Sequence, residues 1–425
     1  MSAADHSPLR AGFAQADITP ERATPLSGFA SRDGLAEGTL DPLTARALWL
    51  DDGAKQTAML ALDLIGPPDG LAGALRARFP ELGDRLVVAA THTHAGPPVL
   101  ARAMLGAPPP GYLEHVAQRA AAALEAARAA ARPVALRRGA ARTQGVAHNR
   151  RDPHGPVDPH VDVVTFAATG AAPIVWLNFA CHPVVLGPET LRYSADFPGV
   201  ARRRVEAMLG ARVIYTTGCA GEINLGHSAL DSIRKIGMER RTPAEAERIG
   251  GIVAEAALAA MAGLAPVDDA ERGLGGGSVA LPARIVAPDA AMRDAIERAA
   301  LATLGDAAAT RGDRAMAAID RAWLATPRPA IADLRVTALT IGALQAAFLP
   351  GEIFVETALA LKRRAPGVIV VGYADSNPGY IPPAGARGGY EVDVAWRPYG
   401  APGPFAPGMA EALAEAAAAL LAASG

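Results

Sequence analysis

Short apolar runs that stop abruptly at polar clusters constrain this chain more than any other feature. "TAMLALDL" (57–64), "RLVVAAT" (85–91), "IVWLNFA" (174–180), "VIYTT" (213–217) and "GVIVVGY" (367–373) are too short for helices and read as buried strands. Further strands are expected at 44–50, joined to the first run by a turn at Asp51-Asp52-Gly53, and at 134–140 and 161–167. Residues 334–349 read as a hairpin about Ile341-Gly342. Helical stretches separate these runs at 112–132, around 199–209, within 288–325 and at 408–423. The best-marked helix begins at Thr242-Pro243-Ala244-Glu245, with Thr at the N-cap, Pro first and Glu third, the pattern of a capping box. "RGLGGGS" (272–278) reads either as a domain linker or as a bulge or turn opening the next strand. Alternating strands and helices with no 20–50-residue sequence repeat predict an α/β fold: one large domain with mixed β-sheets flanked by helices.

Charge and composition narrow the function. The 425 residues carry 41 basic and 43 acidic side chains with no block of like charge, which argues against a nucleic-acid partner. No apolar run approaches the ~20 residues of a membrane helix, so stable membrane insertion is not expected. The start, "MSAADHSPLRAGFAQADITP", lacks the pattern of a secretory signal. Two cysteines make no disulfide framework, and a cytoplasmic location is the default expectation.

The polar clusters sit at strand ends, where α/β folds build sites. His92 and His94 are two apart after "VVAAT", so on a strand they share a face; they are a metal pair or two polar residues meeting solvent. His182 follows "IVWLNFAC" and precedes Pro183. Glu352 follows "FLPG" and is read as opening a helix, where a carboxylate either complements the dipole or ligates a metal. The loop at 372–391 holds Tyr373, Tyr380 and Tyr390. "TTGCAGEINLG" (216–226) offers Glu222 and Asn224 but lacks phosphate-loop spacing. Cys219 is either a thiolate nucleophile, with no base assignable to it, or a small buried hydrophobe like Cys181.

Taken in order, "GFAQADITP", "ATHTHAGP", "NRR", "NFACHP", "SADFPG", "LPGE" and "YIPPAGARGGYE" resemble the neutral/alkaline non-lysosomal ceramidase family across its catalytic domain, from about residue 11 to about residue 400. The resemblance implies a Zn2+ site at His92, His182, Glu352 and Tyr380. It implies substrate contacts from His94, Arg150 and Tyr390. The family's active-site serine falls here in "GEINLG", which puts Asn224 at its position; Ser228 is close in sequence but outside the motif. Asn cannot be a nucleophile, though it can hold water or an oxyanion. The expected organisation is one catalytic domain over residues 1–425, with 285–330 a candidate helical insertion and no immunoglobulin-like C-terminal domain.

These readings predict a zinc-dependent amidohydrolase cleaving a linear small-molecule or lipid-like amide with metal-activated water. An ester, lactone or cyclic amide substrate, or a non-catalytic metal-binding relative, are the alternatives.

Overall fold

One topology occurs three times along the chain. In each case three antiparallel strands form a meander, and a helix then carries the chain across to a fourth strand lying parallel to the third. Such a parallel neighbour cannot be reached by a tight turn, which is why a helix intervenes each time. The computed structural model describes residues 8–104, 106–267 and 273–424. The first seven residues, part of the N-terminal stretch read above, and Arg272 of the glycine patch lie outside the described residues.

The first sheet comprises β1 (Arg10–Asp17), β2 (Thr44–Asp51), β3 (Gln56–Leu62) and, after α1 (Leu71–Arg78), β4 (Leu86–Ala90). Helix α2 (Tyr112–Ala129) then returns the chain to β5 (Arg132–Pro133) on the far edge beside β1. The second sheet repeats this with β6 (Ala135–Arg142), β8 (His160–Ala167), β9 (Ile174–Phe179), α3 (Asp196–Leu209) and β10 (Arg212–Thr217). Two-residue strands β7 (His148–Asn149) and β11 (Ile223–Asn224) pair beside it. After α4 (Ala229–Arg234), helix α5 (Pro243–Ala262) leads to β12 (Ala265–Pro266) on the edge by β6. The third sheet has β13 (Leu274–Leu281), β14 (Leu334–Ile341), β15 (Leu344–Phe348) and β17 (Ile369–Val371). A helical pair, α6 (Ala290–Gly305) and α7 (Arg311–Ala325), separates β13 from β14. The crossover is α8 (Val355–Arg364), flanked by the short parallel pair β16 (Glu352–Ile353) and β18 (Tyr380–Ile381), and α9 (Met409–Ser424) closes the chain.

The strand alternation explains the packing. One face of every sheet meets the other two in a shared centre, where Met59 and Val87, Trp176 and Ile214, and Phe348 and Val371 come together. The opposite face of each sheet lies under its own helices: α1 and α2, then α3 and α5, then α8 and α9. Strands such as β4, with all five residues buried, are apolar on both faces for this reason.

Three local expectations change. Thr242 caps α5 by accepting from Glu245 N at 3.2 Å, but the Glu245 carboxylate pairs with Arg248 and does not close a box. Closed capping boxes stand instead at Ser228/Asp231 and Thr310/Asp313. The glycine patch runs into β13 rather than forming a linker; at Gly276 (φ 130°) a Cβ would lie 2.3 Å from the Ala338 carbonyl oxygen of β14. Glu352 does not open a helix: it is in β16, and the helix starts at Val355. Among the described residues no helix is long and apolar enough to cross a membrane.

Candidate active site

The third and fourth strands of each sheet end at the same point. Their ends are tied across sheets by backbone bonds, Ala90 N donating to Tyr373 O and Gly372 N to Thr217 O, while Gly218 N donates to Phe179 O within the second sheet. The loops that follow β4, β9 and β15 bring His92, His182 and Glu352 into one buried cluster.

His92 and His94 do not converge by strand alternation. The strand stops at Ala90, and His92 adopts the left-handed backbone region (φ 68°). Its amide is held by Leu64 O at 2.9 Å, and its ring stacks on Tyr373, centroids 4.2 Å apart. The His94 ring meets it edge-on at 4.9 Å, and the two Nε2 atoms are 3.3 Å apart. Ligand atoms of His92, His94 and His182 all lie within 4.8 Å of one another.

Backbone carbonyls set the protons on two of these rings. His92 Nδ1 meets Ile65 O at 2.6 Å, and His182 Nδ1 bonds to Ala220 O. A carbonyl oxygen only accepts, so each Nδ1 carries the hydrogen and, in the uncharged tautomer, each ring turns a bare Nε2 inward. Both face the same carboxylate oxygen, Glu352 Oε2, at 3.4 Å and 2.9 Å. Burial first, and then the neighbouring His92, push His94 well below the ordinary imidazole value; burial lowers His182 to about 4. Two lone pairs and an anion facing one another need a cation between them. Neutral imidazoles with carbonyl-bonded Nδ1–H groups and one carboxylate are a donor set that suits zinc.

Tyr380 and Tyr399 stand beside this cluster. Tyr380 is the register partner of Glu352 in the β16–β18 pair, and its phenol oxygen accepts from Arg150 Nη2 at 3.0 Å. Tyr399, which nothing in the sequence motifs singles out, donates its hydroxyl to Glu352 Oε1. Only the folding of the 390–399 segment onto β16 reveals it.

Over the cluster lies a cavity of about 60 Å³. His94, Arg150, Tyr380, Tyr390 and Tyr399 line it, whereas His92, His182 and Glu352 lie beneath. The Arg150 guanidinium is fixed by Glu391 (2.7 Å), Gly221 O (3.0 Å) and Tyr380. Burial keeps the Tyr390 phenol above its usual pKa, so it stays protonated and able to donate. Asn224 has another occupation: its Nδ2 donates to His227 O at 2.8 Å and its Oδ1 accepts from Gly226 N at 2.8 Å, which ties its own turn together. Ser228 caps α4. Glu222 accepts from Val355 N at the head of α8, and burial raises its pKa to about 8. Both cysteines are free and buried, and burial pushes both thiols far above the range where a thiolate forms.

No family model matches the chain, and no curated protein matches it in sequence. Solved structures do. One described as "Ceramidase complexed with C2" superposes with a TM-score of 0.73 at 17% identity, covering 98% of this chain and 75% of that one. The neutral ceramidase of Pseudomonas aeruginosa gives 0.71, also at 17% identity, over 99% of this chain and 75% of its own. At that identity the likeness concerns architecture alone. The chain has a ceramidase-like fold, mixed sheets flanked by helices, as its ordered motifs imply.

Proposed function

We propose that the protein is a zinc-dependent hydrolase of a linear amide, acting on a small-molecule or lipid-like N-acyl compound. The observation that carries this reading is the meeting of bare His92 and His182 Nε2 atoms with the Glu352 carboxylate beneath a cavity. His92, His182 and Glu352 would hold the ion, with Tyr380 completing the set from the strand beside Glu352. When bound, zinc supplies a Lewis acid for the scissile carbonyl and brings the pKa of water toward neutrality.

The chain's own groups do the remaining work. Arg150 is pinned at three points, so its charge faces a developing oxyanion without reorganising. The protonated Tyr390 phenol is a second donor on the same wall. His94 is the imidazole that faces the cavity, placed to relay a proton from the attacking water to the leaving amine. Asn224 acts on this site through the turn it holds, not as a nucleophile.

Elemental analysis of purified protein should find about one zinc per chain. The zinc-loaded protein should cleave N-acyl amides in a panel that also holds matched esters, lactones and cyclic amides. Turnover of the other classes alone would replace the amide reading. Absence of bound metal would remove it.

A further inference from the structure

One wall of the cavity carries positive charge that nothing in the proposed chemistry uses. Phe29 and Ser232 form part of this wall. Behind Phe29 sit two guanidinium groups, Arg32 and Arg241, with central carbons 4.8 Å and 5.0 Å from its ring centroid. Their partners are neutral. Arg32 donates to the carbonyls of Ser27, His94 and Gly187, and Arg241 donates to Val184 O and to Ser232 Oγ. The Nε atoms of both are buried without a hydrogen-bond partner.

Among the described residues neither arginine makes a salt bridge, and Asp196 and Asp231 act on Arg241 only through space. Asp231 closes the capping box of α4, and Asp196 accepts from the amides of Leu186 and Phe197. Arg150, on the opposite side, differs in having Glu391 as its counterion. Buried Arg241 and half-buried Arg32 thus share one ring with no carboxylate in contact, an arrangement that is costly to keep. Burial and the charge of Arg241 lower Arg32 to about 9, and burial, partly offset by Asp196 and Asp231, lowers Arg241 to about 10. The cavity-lining His227 reports the same field: burial, then Arg241 and Arg150, push it to about 2.

Ser232 transmits this charge into the cavity. Its oxygen accepts Arg241 Nη1–H at 2.9 Å, which leaves its own proton free to donate toward the space it lines. We propose that the substrate is anionic: a carboxylate on the scissile amide is recognised by the Ser232 hydroxyl, backed by Arg241 and Arg32. This rests on the amide-hydrolase reading and narrows its substrate class to N-acyl amino acids or amides of dicarboxylic acids.

The test compares kcat/KM of zinc-loaded protein on matched pairs. N-hexanoylglycine is set against N-hexanoylglycinamide, and N-hexylsuccinamate against N-hexylbutanamide, so the carboxylate lies on either side of the bond. The expected result is a preference of about tenfold or more for the acid in one pair, which Ser232→Ala and Arg241→Gln each collapse. Equal turnover or a preference for the neutral member in both pairs overturns the proposal. A wild-type preference that survives in Ser232→Ala and Arg241→Gln protein with unchanged melting temperatures also overturns it. If neither class is hydrolysed, the hydrolase reading fails. Calorimetric binding of N-hexanoylglycine against N-hexanoylglycinamide then decides this proposal separately, equal affinities overturning it.

Discussion

The ends of β4 and β10 hold the same place in two copies of one topology, the close of the crossover strand, yet they contribute different things. After β4, His92 turns into the left-handed region and places an imidazole in the donor cluster. After β10, Gly218–Gly221 contributes carbonyls: Ala220 O fixes the His182 ring and Gly221 O holds Arg150. Cys219, the reactive-looking residue of that loop, packs in the core. A strand end is therefore only an opportunity. Whether it delivers a side chain or oriented backbone depends on the conformation of the first two or three residues beyond the ladder.

The sharpest way to break this contrast is to delete a side chain at each end. His92→Ala should release the metal and reduce hydrolysis to background, while Cys219→Ala should retain both. Elemental analysis beside an activity assay reads the outcome, and metal loss from Cys219→Ala would show the β10 loop to be a ligand loop after all.

A smaller effect is expected at Asn224. Asn224→Ala removes two hydrogen bonds from the turn and should cost about 1–3 kcal/mol in urea denaturation. Asn224→Ser, which restores part of that bonding, should keep appreciable turnover. Loss of turnover in Asn224→Ser protein of unchanged stability would make this residue a direct participant.

The smallest effect concerns pH. His227, at the cavity end of the same loop, is depressed from 6.5 to about 2 by burial and by Arg241 and Arg150. As pH falls below 6.5 the unfolded chain takes up a proton that the folded protein refuses, so stability declines on acidification. His227→Gln should make that decline shallower between pH 6.5 and about pH 5, measured by denaturation at each pH. An unchanged slope would mean that His227 titrates normally and that the wall is not so positive.

Much of the fold is legible in the sequence because strand and helix patterns are local. The apolar runs at 85–91, 174–180 and 367–373 match β4, β9 and β17 within a few residues. Glu352 reads as a helix start for a physical reason: "PGE" precedes an apolar run, and only Tyr380, 28 residues on in sequence, supplies the pairing that makes it a strand. The threefold topology leaves no trace as a sequence period, because turns, helices and insertions between equivalent strands differ in length.

By itself, then, the sequence determined which segments are buried, where each strand stops, and that two histidines and a glutamate follow such stops. Periodicity and the positions of Pro and Gly suffice for that. Only the tertiary structure decided that His92 and His94 meet through a left-handed turn, that Tyr399 reaches Glu352, and that Arg32 and Arg241 share one phenyl ring with no carboxylate in contact. The Tyr399–Glu352 and Arg241–Phe29 contacts join residues 47 and 212 positions apart, the His92 torsion is imposed by its neighbours, and no local pattern encodes them.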